Sequence, residues 1–194
     1  MVKKIVKDFL YEKNSHQKGF TLIELLVSIF IIVLMSGIIF ANYRQSGQQF
    51  ALQRSANKLA QDIRRAQQMA MSAAECPINK CGGPPAIIPS RYALGFLITN
   101  PNEYILFADR NDNGTYEPPD NEVETIPLEE GVSINELFTI ASQTGLWISF
   151  KPPDPITVIR DPGGPRSIGR IRLIGANNQT KAVEVNSAGL IKVE

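Results

Sequence analysis

One carboxylate, Glu24, stands in an otherwise uncharged run of 22 residues from Phe20 to Ala41. An ionised side chain deep in hydrocarbon costs about 2.5 kcal/mol or more, so such a group calls for a function and a cationic partner. Three other sets of residues have types and spacing that chemistry could use. Asp109, Asn111, Asn113, Thr115 and Asp120, with Gly114 among them, follow the spacing of a calcium loop. There, alternate side-chain oxygens converge on a hard cation and the glycine permits a sharp turn. Asn113-Gly114 is also a strong hairpin signal. The flanking segments read as strands, the last position is Asp in place of the longer Glu, and Pro118-Pro119 stiffens the return, so a plain turn competes with calcium. Arg160, Arg166, Arg170 and Arg172 crowd into thirteen residues and could contact DNA phosphates. Against that, Arg170 and Arg172 would alternate on the solvent face of a strand, with Arg160 and Arg166 in a loop. Cys76 and Cys81, with four residues between them, form a disulfide most simply if this part of the chain is exported. A zinc site would need further soft ligands, and the only histidine is His16.

Catalysis finds no footing. Beyond Gly19 the chain has no histidine and no serine-nucleophile motif, and Gly82-Gly83 and Gly163-Gly164 lack a phosphate-binding context. The expectation is a protein that is not an enzyme and has no cofactor, calcium being the one ion with a case.

These residues must be positioned by elements of two kinds. The Phe20 to Ala41 run is long enough to cross a bilayer, since about 20 residues at 1.5 Å rise span about 30 Å. Before it, five lysines (Lys3, Lys4, Lys7, Lys13 and Lys18) face Asp8 and Glu12, a net charge of +3. Retained basic residues orient a first span with its N-terminus in the cytoplasm. The run is longer than a secretory signal core and no Ala-x-Ala site closes it, which predicts an uncleaved signal anchor. The helix should continue to about Ala74, because Leu52, Leu59, Ile63, Ala66 and Ala70 recur at helical steps, with Arg54, Lys58, Asp62 and Arg65 on the other face. Small residues Ser28, Ser36 and Gly37 lie in the apolar half and permit close helix approach.

From Cys76 the texture changes to loops rich in Pro and Gly, then to short β-branched and aromatic runs. Strands are expected at Arg91 to Thr99, Tyr104 to Ala108, Glu122 to Ile126, Val132 to Leu137, Leu146 to Phe150, Ile156 to Ile159, Ser167 to Ile174, Ala182 to Asn186 and Leu190 to Val193. The Pro-rich stretch from Lys151 to Pro165 fits no element cleanly. Strands following one helix predict an α+β domain. With 194 residues, 43% apolar content and a formal charge of +1, one modest domain is expected beyond the anchor. After Gly19 the balance is 15 basic against 17 acidic residues, or −2, which disfavours a nucleic-acid-binding head.

Gly19-Phe20-Thr21-Leu22-Ile23-Glu24-Leu25-Leu26 after a basic leader resembles the type III signal of type IV pilins and type II secretion pseudopilins. The resemblance implies that prepilin peptidase cuts between Gly19 and Phe20 on the cytoplasmic face and that Phe20, the new N-terminus, is N-methylated. It also implies that Glu24 compensates the α-amine of a neighbouring subunit, an attraction much larger in low dielectric than in water. Implied partners are other pilin or pseudopilin subunits, prepilin peptidase, the inner-membrane assembly platform and membrane lipid, with DNA as a rival ligand of the head. The implied layout is a leader at 1–19, a transmembrane part at 20–41, an amphipathic continuation at 42–74 and a β-rich head at 75–194. The head would lie outside the inner membrane, in the periplasm or at the cell surface. Tyr92-Ala-Leu-Gly-Phe96, the acidic turn after Tyr104-Ile-Leu-Phe107, Gly131-Val-Ser-Ile134 and the closing Val185-Asn-Ser-Ala-Gly189 are similar to the H-type minor pseudopilin and related minor pilins. The implied function is a structural subunit of a secretion pseudopilus or pilus. The rival is an anchored module that captures DNA or an exported substrate.

Overall fold

A computed structural model describes residues 19–77, 79–81, 88–117, 120–152 and 156–194, and only the backbone of 41–46. The basic leader before Gly19, His16, Gly82 to Pro85 and Pro118-Pro119 lie outside the described residues. The protein is α+β: among the described residues one helix, α1 (Leu22–Met71), is followed by eleven strands. It divides into two compact units, one ending at Tyr43 and the other spanning Arg44–Glu194.

In the first unit the helix begins at Leu22, two residues later than Phe20. Thr21 stands outside the helix and its hydroxyl accepts a hydrogen bond from the Glu24 amide at 3.3 Å, while its carbonyl accepts from Leu25 N at 3.1 Å. That is the geometry of an N-cap, which satisfies an amide that would otherwise lack a partner.

At the other end, in the second unit, α1 stops at Met71 and not at Ala74. Ala73 takes a left-handed φ of 45°, Ala74 N donates to Met69 O and Ala73 N to Ala70 O. This pair of bonds closes a helix as a Schellman motif, a position usually given to Gly.

The strands form two antiparallel sheets in the second unit. The six-stranded sheet runs β3 (Asn121–Pro127), β2 (Glu103–Asp109), β1 (Arg91–Leu97), β6 (Gly145–Lys151), β7 (Ile156–Asp161), β8 (Gly164–Arg166). The five-stranded sheet runs β11 (Ile191–Val193), β10 (Thr180–Asn186), β9 (Ile168–Ile174), β4 (Ser133–Phe138), β5 (Ser142–Gln143). The chain therefore leaves the larger sheet after β3, lays down β4 and β5 in the smaller one, returns for β6 to β8, and ends in the smaller sheet.

Alternation along the strands sends Tyr92, Leu94, Phe96, Tyr104, Leu106, Leu146, Ile148 and Phe150 from the larger sheet into one core with Ile134, Leu137, Ile171, Leu173, Val183 and Val185 from the smaller. The helix contributes Leu52, Ala56, Leu59, Ile63, Ala66 and Ala70 to the same core. Its four-and-three spacing keeps one face apolar. Three charged contacts fix the helix laterally: Arg54 with Glu129 at 2.6 Å, Arg65 with Glu124 at 2.8 Å, and the Tyr104 hydroxyl donating to Asp62 at 2.6 Å.

Two expectations are corrected here. Arg160 and Arg166 lie on β7 and β8, not in a loop. The pairing of Arg160 opposite Trp147 prolongs β7 beyond Ile159, and Pro165 is accommodated because β8 is an edge strand, where a missing N–H costs no ladder bond. The stretch from Lys151 to Pro165 is thus largely a β7–β8 hairpin.

Candidate functional site

Gly19, Phe20 and Thr21 are non-helical and exposed, and the helix then carries Glu24 in its first turn. A carboxylate there meets the partial positive charge of the helix N-terminus. From Leu22 to Phe40 the helix has a mean hydropathy of 2.8 over 19 residues, and none of that span is buried within the protein. Its apolar side chains therefore need cover from outside the chain, and its polar ones need partners inside the helix. The hydroxyls of Ser28 and Ser36 meet that need by donating to Glu24 O and Ile32 O, each at 2.7 Å. Such back-bonding suits an apolar surrounding that offers no water.

Asp109, Asn111, Asn113, Thr115 and Asp120 do come together, in the loop that joins antiparallel neighbours β2 and β3. The Asp109 carboxylate is fully buried and accepts from Asp112 N at 2.7 Å and Gly114 N at 2.8 Å. Asp120 accepts from Arg110 N and Glu117 N. Asn111 and Asn113 accept from the amides of Asn113 and Thr115, and Asn113 donates to Glu117. Among the described residues no three His, Cys, Asp or Glu side chains group as metal ligands.

The loop folds back over the outer face of the larger sheet. Tyr116 packs on Phe107, ring centroids 5.2 Å apart, and Asp112 pairs with Arg91 at 2.6 Å and Lys151 at 2.7 Å. Gly114, at φ +74°, passes so close that a Cβ would stand 3.3 Å from both Arg160 Cδ and Ser149 Oγ. Burial pushes the Asp109 carboxyl up, against the pull of the Gly114 and Asp112 amides and Arg91. Partial burial also acts on Asp112, but Lys151 and Arg91 outweigh it and hold that carboxyl below its ordinary value.

The four arginines are not one patch of free guanidinium groups. Arg166 pairs with Asp161 at 2.6 Å, Arg170 with Glu184 at 2.5 Å, and Arg172 with Glu136. Arg170 and Arg172 alternate on the outer face of β9, between buried Gly169, Ile171 and Leu173. Arg160 lies against Gly114 with its Nε buried and without a partner among the described residues. Cys76 and Cys81 are joined by a disulfide, both sulfurs in the core.

With this geometry in place, the comparisons with known proteins decide which feature carries a family signal. Residues 14–40 match the prokaryotic N-terminal methylation motif. No curated protein and no solved structure matches the chain. The methylation motif covers the Gly19-Phe20 junction, Glu24 and the apolar helix, so it falls on the exposed span and does not reach the β-rich unit. It supports the pilin and pseudopilin superfamily, assembly with other pilin subunits and a chain anchored in a membrane by its N-terminal helix.

Sequence reasoning missed the residues that organise these sites. Thr21 had a signal, since Thr-x-x-Glu before an apolar run is a capping-box spacing. Asp161 and Asp112 had none, because their partners Thr139, Arg166, Arg91 and Lys151 are distant in sequence or reached only through the fold.

Proposed function

We propose that the chain is a minor pilin or pseudopilin, a structural subunit of a type II secretion pseudopilus or type IV pilus, with the H-type minor pseudopilins as its subgroup. The methylation motif on residues 14–40 carries this reading. Prepilin peptidase cuts after Gly19, Phe20 is N-methylated, and the freed α-amine of one subunit meets Glu24 of the next. The bare apolar surface from Leu22 to Phe40 is covered by lipid before assembly and by neighbouring helices after it. The leader lies on the cytoplasmic side of the inner membrane and the head beyond it, which agrees with the Cys76–Cys81 disulfide and the oxidising compartments where such bonds persist.

The role is structural and not catalytic, and it uses no cofactor. Capture of DNA through Arg160, Arg166, Arg170 and Arg172 is the weaker reading, because three of the four are already held by carboxylates and counterion release requires free cations. The test is expression of the full chain with and without a prepilin peptidase. A mature form beginning with methylated Phe20, found in a sheared filament fraction, supports the proposal. A chain that stays full length in the peptidase's presence refutes it.

A further inference from the structure

We propose that Thr21 is a positioning residue for cleavage: by ending the helix at Leu22 it keeps the Gly19–Phe20 peptide bond in extended chain, where a protease can engage it. The inference rests on the reading that the chain is cut after Gly19. Hydrolysis adds water across that bond. The water oxygen goes to the Gly19 carbonyl carbon, the C–N bond breaks, and a proton completes the Phe20 amine. A protease that binds its substrate as an added strand needs the backbone N–H and C=O groups on either side of the bond. In a helix those groups point along the axis and are bonded to residues four away.

The residues after the junction favour helix strongly. Leu22, Ile23, Glu24, Leu25 and Leu26 continue without a break into the apolar span, and in hydrocarbon each backbone group gains from an internal partner. Something must therefore stop the helix from growing backward. Glycine at 19 costs a helix about 1 kcal/mol and Phe20 somewhat less, which disfavours backward growth without fixing the residue at which the helix starts. The Thr21 hydroxyl supplies the stop. It takes the Glu24 amide at 3.3 Å, the bond that a carbonyl placed one turn earlier would otherwise make. Gly19, Phe20 and Thr21 are all non-helical and exposed as a result. This assigns the two polar residues of the first turn different tasks: the Thr21 side chain holds the Glu24 backbone, and the Glu24 carboxylate stays available for the amine that cleavage creates.

The experiment follows processing of the full-length chain in membranes containing prepilin peptidase, by pulse-chase and by initial rates over a range of precursor levels. Thr21→Val keeps the shape and loses the acceptor, whereas Thr21→Ser and Thr21→Asn keep an acceptor. The valine variant should be processed about fivefold more slowly, the population change that losing a cap corresponds to, with serine and asparagine near the wild-type rate. Membrane insertion and formation of the Cys76–Cys81 disulfide should be equal in all four, which separates positioning from misfolding. Wild-type rates for valine overturn the inference, as do serine and asparagine variants as slow as valine. A wild-type chain that is never cut after Gly19 overturns the functional reading as well, so the two failures are distinguishable.

Discussion

Asp161 keeps its carboxylate where solvent does not reach, and three donors hold it there. Arg166 Nε lies at 2.6 Å, the Thr139 hydroxyl at 2.7 Å and Gly163 N at 2.8 Å. Gly163 leaves room for this approach, since a Cβ there would come within 2.7 Å of the Arg166 guanidinium and push it aside. Burial works to raise the Asp161 carboxyl, but the bonds from Arg166, Thr139 and Gly163 together hold it below the ordinary range. The unfolded chain then binds its proton more readily than the folded one. The stabilisation is present above the unfolded value of about 4 and disappears as pH falls through the folded one. Thermal unfolding of the full chain in detergent between pH 7 and 2.5 should show this as a falling Tm. Asp161→Asn, which removes the titrating charge, should lower Tm at pH 7 and flatten the fall. Asp161→Ala should cost about 3 kcal/mol at neutral pH, because it leaves Arg166 and two other donors unpaired. The Asp109 loop makes the opposite claim at the same scale. Each carboxylate oxygen of Asp109 and Asp120 already accepts an amide of the loop itself, so millimolar calcium is expected to leave Tm unchanged in the wild type and in Asp109→Ala alike. A calcium-dependent rise lost in that variant would reinstate the ion.

The helix is the element the sequence describes best, because its apolar stripe repeats over many turns and each repeat adds to the signal. Leu52, Leu59, Ile63, Ala66 and Ala70 all prove buried. Its ends are legible only through caps: Thr21 by its spacing from Glu24, whereas Ala73 carries no mark, since a left-handed residue there would ordinarily be Gly. That mismatch is testable. Ala73→Gly should raise stability by about 1 kcal/mol, seen as a higher denaturation midpoint, because it relieves the strain of a Cβ at φ 45°. The lateral anchor should behave in the other direction. Tyr104→Phe removes the donor to Asp62 and should cost about 1.5 kcal/mol, the value of a hydrogen bond to a charged group. Among strands, alternating runs such as Tyr92 to Phe96 announce themselves. Ser142–Gln143 and Gly164–Arg166 are too short to show a period of two. The division into two sheets is invisible from the chain, because it depends on β6 returning beside β1 across some fifty residues.

At the scale of the whole molecule, the span from Leu22 to Phe40 exposes only apolar side chains, two self-satisfied serines and Glu24, so Glu24 is the charged group of that span that can add to apolar packing in setting the register between two such helices. Opposite charges attract far more strongly in low dielectric than in water, and an ionised group left alone there costs about 2.5 kcal/mol or more. On the proposed cleavage after Gly19, the α-amine at Phe20 arises only in the cut chain, so that reading couples processing to assembly: uncut chains would carry the carboxylate without its partner. Glu24→Gln keeps the shape and polarity of the side chain while removing the charge. It should leave cleavage after Gly19 intact and reduce the sheared filament fraction at least tenfold, the ratio that about 1.4 kcal/mol of lost attraction corresponds to. Glu24→Asp, which keeps the charge on a shorter arm, should retain part of the assembly. If Glu24→Gln assembles like the wild type while mature Phe20 is formed normally, charge pairing does not set the register, and apolar packing along Leu22 to Phe40 must do so alone.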